Sequence, residues 1–261
     1  MGIVNITPDS FFAGSRTTDE EAISARAAAM VEQGAAMLDV GAYSSRPGAA
    51  EVPVAEELER LRLGLRAVRA AVGPEIPVSV DTFRAEVAEK AVGSWGADIV
   101  NDISGGTLDS RMFAAVAALR APYILMHMRG TPATMQSLTD YADVVADTVR
   151  ELSRPLAELE RLGVADVIVD PGFGFAKTLD QNYRLLAALR QFELLGRPVL
   201  AGMSRKSMLT RLLGIGADEA LEATTAVNVL ALERGAAILR VHDVAPAVEA
   251  VKIVCKVEEF S

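Results

Sequence analysis

Residues 76–102 read IPVSVDTFRAEVAEKAVGSWGADIVND: two short apolar runs that each stop at polar residues, with a helical stretch between them. The first run closes at Asp81 and the second at Asn101 and Asp102. Between them, residues 84–95 space their apolar positions by three and four, the period of a helix with one buried face. Strands buried on both faces read as unbroken apolar runs, and strands alternating with helices build a parallel sheet. The same unit recurs along the whole chain. GIVN ends at Asn5, MLDVG leads into Ser44, Ser45 and Arg46, YILMH ends at His127, and VIVD ends at Asp170. VLAG then runs into Ser204, Arg205 and Lys206, and ILRVH carries Arg240 and His242. Eight such units in 261 residues fit an α/β fold of one domain, a closed (β/α)8 TIM barrel spanning 1–261. In that architecture the active site gathers at the C-terminal ends of the strands, where these polar residues fall.

A chain that is 51% hydrophobic can bury a sizeable core, and no Ser/Gly/Pro-rich linker divides it. The apolar runs are strand-sized or broken by charge, so no transmembrane helix is expected. Met1 leads into the first strand with no basic segment or cleavage site, which predicts a cytoplasmic chain without a secretion leader. Cys255 is alone, excluding a disulfide framework, and its place in an apolar-periodic helix predicts plain packing. The net charge of −9 argues against general nucleic-acid binding. Cations nonetheless recur at the strand ends, at Arg46, Arg205, Lys206, Arg240 and His242, which suggests a small anionic substrate.

Helices are predicted over residues 19–33 with Thr18 or Asp19 as N-cap, from Pro53 to Gly73, and over 84–95, 110–119 and 141–162. Further helices begin near Thr178, at MLTRLL, at DEALEATTAVNVLALERG and at VAPAVEAVKIV. Two connections, residues 7–17 and 42–53, are long enough to be lids or binding loops at the catalytic face.

Asp81 and Asp170 each close an apolar strand, so each carboxylate is expected at the inner rim, partly desolvated and in need of donors. Helix capping or pairing with Arg would also explain either one alone. With Asn101 between them they suit a heterocycle that presents an amino group, a ring N–H and a carbonyl, and Lys206 can donate to that carbonyl. Arg240 and His242 lie one residue apart on an extended strand, so both point to the same side and suit phosphate oxygens. Asn5 offers a neutral oxygen to a phosphate-bound magnesium ion, or forms a turn. His127, between two methionines, is a satisfied rim histidine or a ligand. The GFGF segment after Asp170 lacks dinucleotide-binding spacing and reads as a tight turn with Phe175 as a stacking wall.

The segments MGIVNITPDSF, SSRPGA, SVDT, NDISGG, LMHMRGTPATMQ, DPGFGF, GMSRKSM and RVHDV, in this order and each at a strand end, resemble dihydropteroate synthase, the folate-pathway family targeted by sulfonamides. The resemblance covers essentially the whole chain. It implies a transferase that joins 6-hydroxymethyl-7,8-dihydropterin pyrophosphate to p-aminobenzoate, giving 7,8-dihydropteroate and pyrophosphate, in a magnesium-dependent homodimer. Carried over by position, pterin recognition falls to Asp81, Asn101, Asp170 and Lys206, with Ile103, Met126, Phe175 and Gly202 around the ring. Pyrophosphate falls to Arg240, His242 and the two long loops, and magnesium to Asn5. The p-aminobenzoate site falls to Ser204, Arg205, Lys206, Pro47 and Phe11, with Ser45 and Arg46 in the second loop. The resemblance makes Asp81, Asp170, Lys206, Arg240 and His242 the catalytic group.

Among the departures from the commoner family pattern, GAYSSRPG replaces GGESTRPG, GFGFAK replaces GFGFGK, and Thr224 takes the usual Gly of a GT pair, read as a packing change within a helix. If Ala176 takes positive φ, its side chain is strained by ~1 kcal/mol. Two rival readings are a pterin-dependent methyltransferase serving a corrinoid protein and a catalytically silent barrel. The first has no use for the SRK and RVHD segments as a pyrophosphate clamp. The second is at odds with a full complement of site residues.

Overall fold

Each strand pairs in parallel with the next in the chain, giving one eight-stranded sheet in the order β1 to β8. The strands are β1 Gly2–Asn5, β2 Leu38–Gly41, β3 Val78–Asp81, β4 Ile99–Asp102, β5 Tyr123–Met126, β6 Val167–Asp170, β7 Val199–Ala201 and β8 Ala236–Leu239. Gly2 forms a parallel bridge with Val241; Ile3 N–H donates to the Val241 carbonyl and Val241 N–H to the Met1 carbonyl, both at 2.9 Å. These bonds return the sheet to its first strand and close the barrel. The computed structural model describes residues 1–6, 16–43 and 52–260, with side chains in the first helix from residue 20 onward.

The helices are α1 Arg16–Glu32, α2 Val54–Val72, α3 Ala85–Ser94, α4 Met112–Leu119, α5 Val144–Arg161, α6 Leu179–Ala187, α7 Ser207–Leu213, α8 Leu221–Leu232 and α9 Val244–Glu258. They lie where the apolar spacing puts them. Thr178 caps α6 in a reciprocal capping box with Gln181, which fixes that start sharply. The start of α1 corrects the sequence reading: the helix already runs at Arg16, so Thr18 and Asp19 lie inside its first turn. Cys255 is a second correction. It is exposed, because α9 buries Val244, Ala247, Ala250 and Val254 and turns the neighbouring position outward. Among the described residues, no helix is long and apolar enough to cross a membrane.

The side-chain period of two along a strand sorts residues between two cores. Val78 and Val80 of β3 and Tyr123 and Leu125 of β5 belong to the large cluster between sheet and helices. Ile99, Ile124 and Leu200, with Ile168 and Ile238 against them, fill the barrel interior. The next position on that inward face is the rim. There the register sets Asn5 beside Gly41, Gly41 beside Asp81, Asp81 beside Asn101, and Met126 beside Asp170. The polar strand ends thus form a row around one mouth of a dry barrel.

Candidate active site

The deepest element of the mouth is an ion cluster around Arg240, just past β8. Its Nε donates to Asp39 Oδ2 at 2.6 Å and its Nη2 to Asp81 Oδ2 at 2.9 Å. Asn101 Nδ2 donates to the same Asp39 oxygen at 3.1 Å. One guanidinium therefore serves two carboxylates. Burial pushes the Asp81 carboxyl up to about 7, against the pull of Arg240, and the charges of Asp39, Glu57 and Asp102 push it the same way. Arg240, although buried, is held above its usual range by Asp39 and then Asp81. Its Nη1 makes no hydrogen bond to a described residue and remains for a ligand. Asp39 is one residue that sequence reasoning missed. It is fully buried in mid-strand, and its Oδ1 has no hydrogen-bond partner. The signal was present in MLDVG: a carboxylate inside a buried strand requires a buried cation.

A second group meets over Gly202. A Cβ placed on this glycine would lie 3.8 Å from Asp170 Oδ2, 3.8 Å from Lys206 Nζ and 3.9 Å from Arg240 Cβ. Gly202 thus leaves the space between these three side chains open. Asp170 accepts from Gly172 N–H at 2.7 Å, which fixes one oxygen and turns the other toward the mouth. Burial raises the Asp170 carboxyl, while Lys206 opposes it. Burial lowers the Lys206 ammonium to about 8, opposed by Asp170. Lys206 Nζ donates to the Phe173 carbonyl at 2.6 Å and stands 4.8 Å from the Phe175 ring centre. Phe175, Met126 and Ile103 pack in one small apolar cluster, so the residues expected around the ring lie together.

Around this lies a third set. His242 meets Ser204 Oγ at two points: its backbone N–H donates to that oxygen at 3.2 Å, and its Nδ1 shares a hydrogen bond with it at 3.0 Å. Arg205, at φ 56°, is clamped by Asp243 through Nε at 2.8 Å and Nη2 at 2.9 Å. Its guanidinium is thus anchored to the base of α9. Its backbone N–H donates to Thr224 Oγ1 of α8 at 3.1 Å, a support that no strand-end pattern reveals.

The GFGF turn carries more than a wall. Ala176 sits at φ 51°, so the condition for strain is met. Lys177, which the sequence reading passed over, is buried behind the turn and bonded to Gly172 O at 3.1 Å, Phe175 O at 3.0 Å and His127 Nδ1 at 3.0 Å. His127 Nε2 faces Glu151 at 2.9 Å, and burial pushes its imidazole down to about 4. Of the two readings left open for His127, the satisfied histidine is the one found.

Phe11, Ser45, Arg46 and Pro47, with most of both long loops, lie outside the described residues. Among the described residues, no three His, Cys, Asp or Glu side chains are grouped to hold a metal ion. Asn5 closes β1 beside Gly41, half-buried at the rim. A single neutral oxygen there fits a magnesium ion whose other ligands are water and phosphate oxygens, the usual habit of this ion.

With this geometry in view, comparison with known proteins is decisive. Residues 1–242 match the pterin binding enzymes. The chain belongs to that family. It is 44% identical over 258 residues to the dihydropteroate synthase of Escherichia coli strain K12, covering 97% of this chain and 89% of that protein. It is likewise 44% identical over 262 residues to the dihydropteroate synthase of Synechocystis, covering 99% and 88%. The Yersinia pestis dihydropteroate synthase in a sulfonamide drug complex superposes with a TM-score of 0.91 at 37% identity, covering 99% and 94% of the two chains. The Xanthomonas albilineans dihydropteroate synthase with 4-aminobenzoic acid gives 0.90 at 41%, covering 99% and 92%. With 7,8-dihydropteroate, the Xanthomonas enzyme gives 0.87 at 39%, covering 99% and 92%. The barrel reading stands, and the chain is a transferase of folate biosynthesis, of the dihydropteroate synthase kind. The methyltransferase and silent-barrel readings are set aside by these relatives.

Proposed function

We propose that the mouth of this barrel condenses 6-hydroxymethyl-7,8-dihydropterin pyrophosphate with p-aminobenzoate, with the pterin seated between the two ion clusters described above. The observation that carries this reading is the convergence of Asp170, Lys206 and Arg240 on the space above Gly202, beside Phe175. Asp170 accepts from the amino group and ring N–H of the pterin, Lys206 donates to its carbonyl, and Asn101 and Asp81 complete the edge. Phe175, Met126 and Ile103 pack on its faces.

Pyrophosphate lies toward Arg240 and His242, where Nη1 and the imidazole donate to its oxygens. Asn5 would hold a magnesium ion there, whose chemistry when bound is to neutralise charge on the leaving pyrophosphate. The electron-rich ring lets the C–O bond at the exocyclic methylene break before a nucleophile arrives. Asp81 and Asp170 are placed to favour the cation left on that carbon. The p-aminobenzoate nitrogen then attacks the methylene from a site made by Ser204, Lys206, Phe11 and Pro47, losing its proton to water or the departing pyrophosphate. Arg205 supports this site from its clamp on Asp243, and Ser45 and Arg46 add to it from the second loop. Holding both reactants together supplies much of the acceleration, and no covalent enzyme nucleophile enters.

The exposed apolar side chains of α8 and α9, Leu230, Val251 and Ile253 with Phe260 beyond them, support a homodimer. A cytoplasmic location and sulfonamide sensitivity follow from the same reading. The test is pyrophosphate release from the dihydropterin substrate with magnesium, with and without p-aminobenzoate. The expected result is release coupled to dihydropteroate formation, lost in Asp170→Asn and Lys206→Ala. If both variants kept turnover within about twofold, the pocket assignment would be wrong.

A further inference from the structure

The GFGF turn holds the proposed pterin wall, and its hold on the barrel is unusual. Lys177 is buried, and each of the three protons of its ammonium has an acceptor: Gly172 O, Phe175 O and His127 Nδ1, all within 3.1 Å. With Nδ1 accepting, the His127 Nε2–H donates to Glu151 at 2.9 Å, and Arg129 closes the chain with two bonds to the same carboxylate. The line runs from a buried cation behind the pterin pocket to a half-exposed ion pair on α5. The two carbonyls gripped by Lys177 bracket the wall, one just after Asp170 and one on Phe175 itself.

We propose that Lys177 is a positioning residue of the pterin site, acting through Phe175 and the Asp170 turn. The inference rests on the reading of the mouth as a pterin pocket. By holding Gly172 and Phe175 together, Lys177 sets the ring plane against which the pterin stacks and the direction of the Asp170 carboxylate. Its charge also favours an ionised Asp170, alongside those of Lys206 and Arg240. The groups that face Lys177 are Asp170 at the end of β6, Lys206 after β7, His127 and Arg129 after β5, and Glu151 on α5. Burial lowers its ammonium to about 7, so the grip is complete below that pH and is lost as pH rises through it. Two further ties, Asn182 Oδ1 to Gly174 N–H at 2.6 Å and Tyr141 Oη to Ala176 O at 3.0 Å, keep the turn in place when Lys177 is changed.

The test compares wild type with Lys177→Met and Lys177→Gln. It measures KM for each substrate, kcat, and the affinity for 6-hydroxymethyl-7,8-dihydropterin across pH. In Lys177→Met the KM for the pterin substrate should rise about tenfold or more, the scale of losing hydrogen bonds from a charged donor. The KM for p-aminobenzoate should stay at its wild-type value. Pterin affinity should change as pH rises through about 7, where Asp81 and Lys177 both titrate, and weaken again through about 8 with Lys206; in Lys177→Met only the Lys177 share of the step near 7 should vanish, so the difference between the two profiles isolates it. Lys177→Gln, which retains an uncharged amide donor group, should fall between wild type and Lys177→Met. Equal changes in both KM values, or none, would overturn the inference. So would a pH profile of Lys177→Met, or of Lys177→Gln, that coincides with the wild-type profile through pH 7. A wild-type protein that binds no pterin would overturn the pocket reading as well, whereas normal wild-type binding with an unchanged Lys177→Met would remove only the role of Lys177.

Discussion

Replacing Asp39 by Ala is the sharpest stability experiment this barrel offers. Asp39 is fully buried, and its Oδ2 receives Arg240 and Asn101 while Oδ1 has no partner. Removing the carboxylate leaves the guanidinium with Asp81 alone, 2.9 Å away, and leaves Asn101 Nδ2 without its acceptor. Breaking a buried ion pair from one side typically costs about 3–5 kcal/mol. Asp81 retains half of the compensation, so the lower part of that range applies, about 3 kcal/mol. For a chain of this size, such a loss lowers Tm by roughly 6–12 °C. Urea unfolding followed by the fluorescence of Trp95, the single tryptophan, should show an earlier midpoint with an unchanged slope. Because Asp39 is one of the charges that raise the Asp81 carboxyl, the variant should also move the Asp81 titration to lower pH. A midpoint unchanged to within about 1 kcal/mol would refute the reasoning, since it would mean that Arg240 does not depend on Asp39 for its burial.

Three other outcomes are expected. Ala176→Val places a β-branched side chain at φ 51° and should destabilise by about 2 kcal/mol, whereas Ala176→Gly relieves strain but loses a buried methyl and should change urea stability by less than about 1 kcal/mol. Thr224→Val removes the acceptor for Arg205 N–H and should cost about 1–3 kcal/mol in the same assay, with p-aminobenzoate KM raised more than pterin KM. Glu151 is held well below the usual carboxylate range by His127 and Arg129, so its contribution is present above about 4.5, the unfolded value, and is lost as pH falls below it. Glu151→Gln should therefore flatten the stability profile below about pH 4.5 and leave it unchanged between there and neutral pH, as a midpoint-versus-pH series will show.

The strands were legible because each is a short apolar run closed by a polar residue, and a parallel sheet gives both features a physical cause. Asp81, Asn101, Asp170 and Lys206 were found as strand-end residues, and the barrel brings them to one mouth. What escaped lay away from the ends. Asp39 shares the inward parity of Gly41, two residues on, so it points into the barrel; a reading that followed the run to its end passed over it. Lys177 escaped because the turn was read only as far as Ala176, although a lysine that is followed directly by a helix cap and preceded by two apolar residues has little water to reach. The clamp of Arg205 on Asp243 joins the turns after β7 and β8, and no local pattern carries a contact of that separation. Cys255 was misplaced for a simpler reason: the apolar period of α9 continues past the last position that the barrel covers.

The charge pattern of the mouth bears on how a pyrophosphate ester could be held at all. Arg240 is already paired with Asp39 and Asp81, Lys206 faces Asp170, and Arg205 is spent on Asp243. Each described cation thus answers a carboxylate, and the balance of the unliganded mouth is close to neutral. That suits the pterin, whose amino group, ring N–H and carbonyl need fixed acceptors and donors more than net charge. A pyrophosphate arriving with several negative charges meets only the free edge of Arg240 and the imidazole of His242. The remainder of its neutralisation must come from another cation, which the proposed function gives as a magnesium ion at Asn5. On this argument pterin binding without the pyrophosphate should be nearly independent of magnesium, while binding of the pyrophosphate ester should depend on it steeply. Equal magnesium dependence for both ligands would place the ion elsewhere than at the Asn5 end of the mouth.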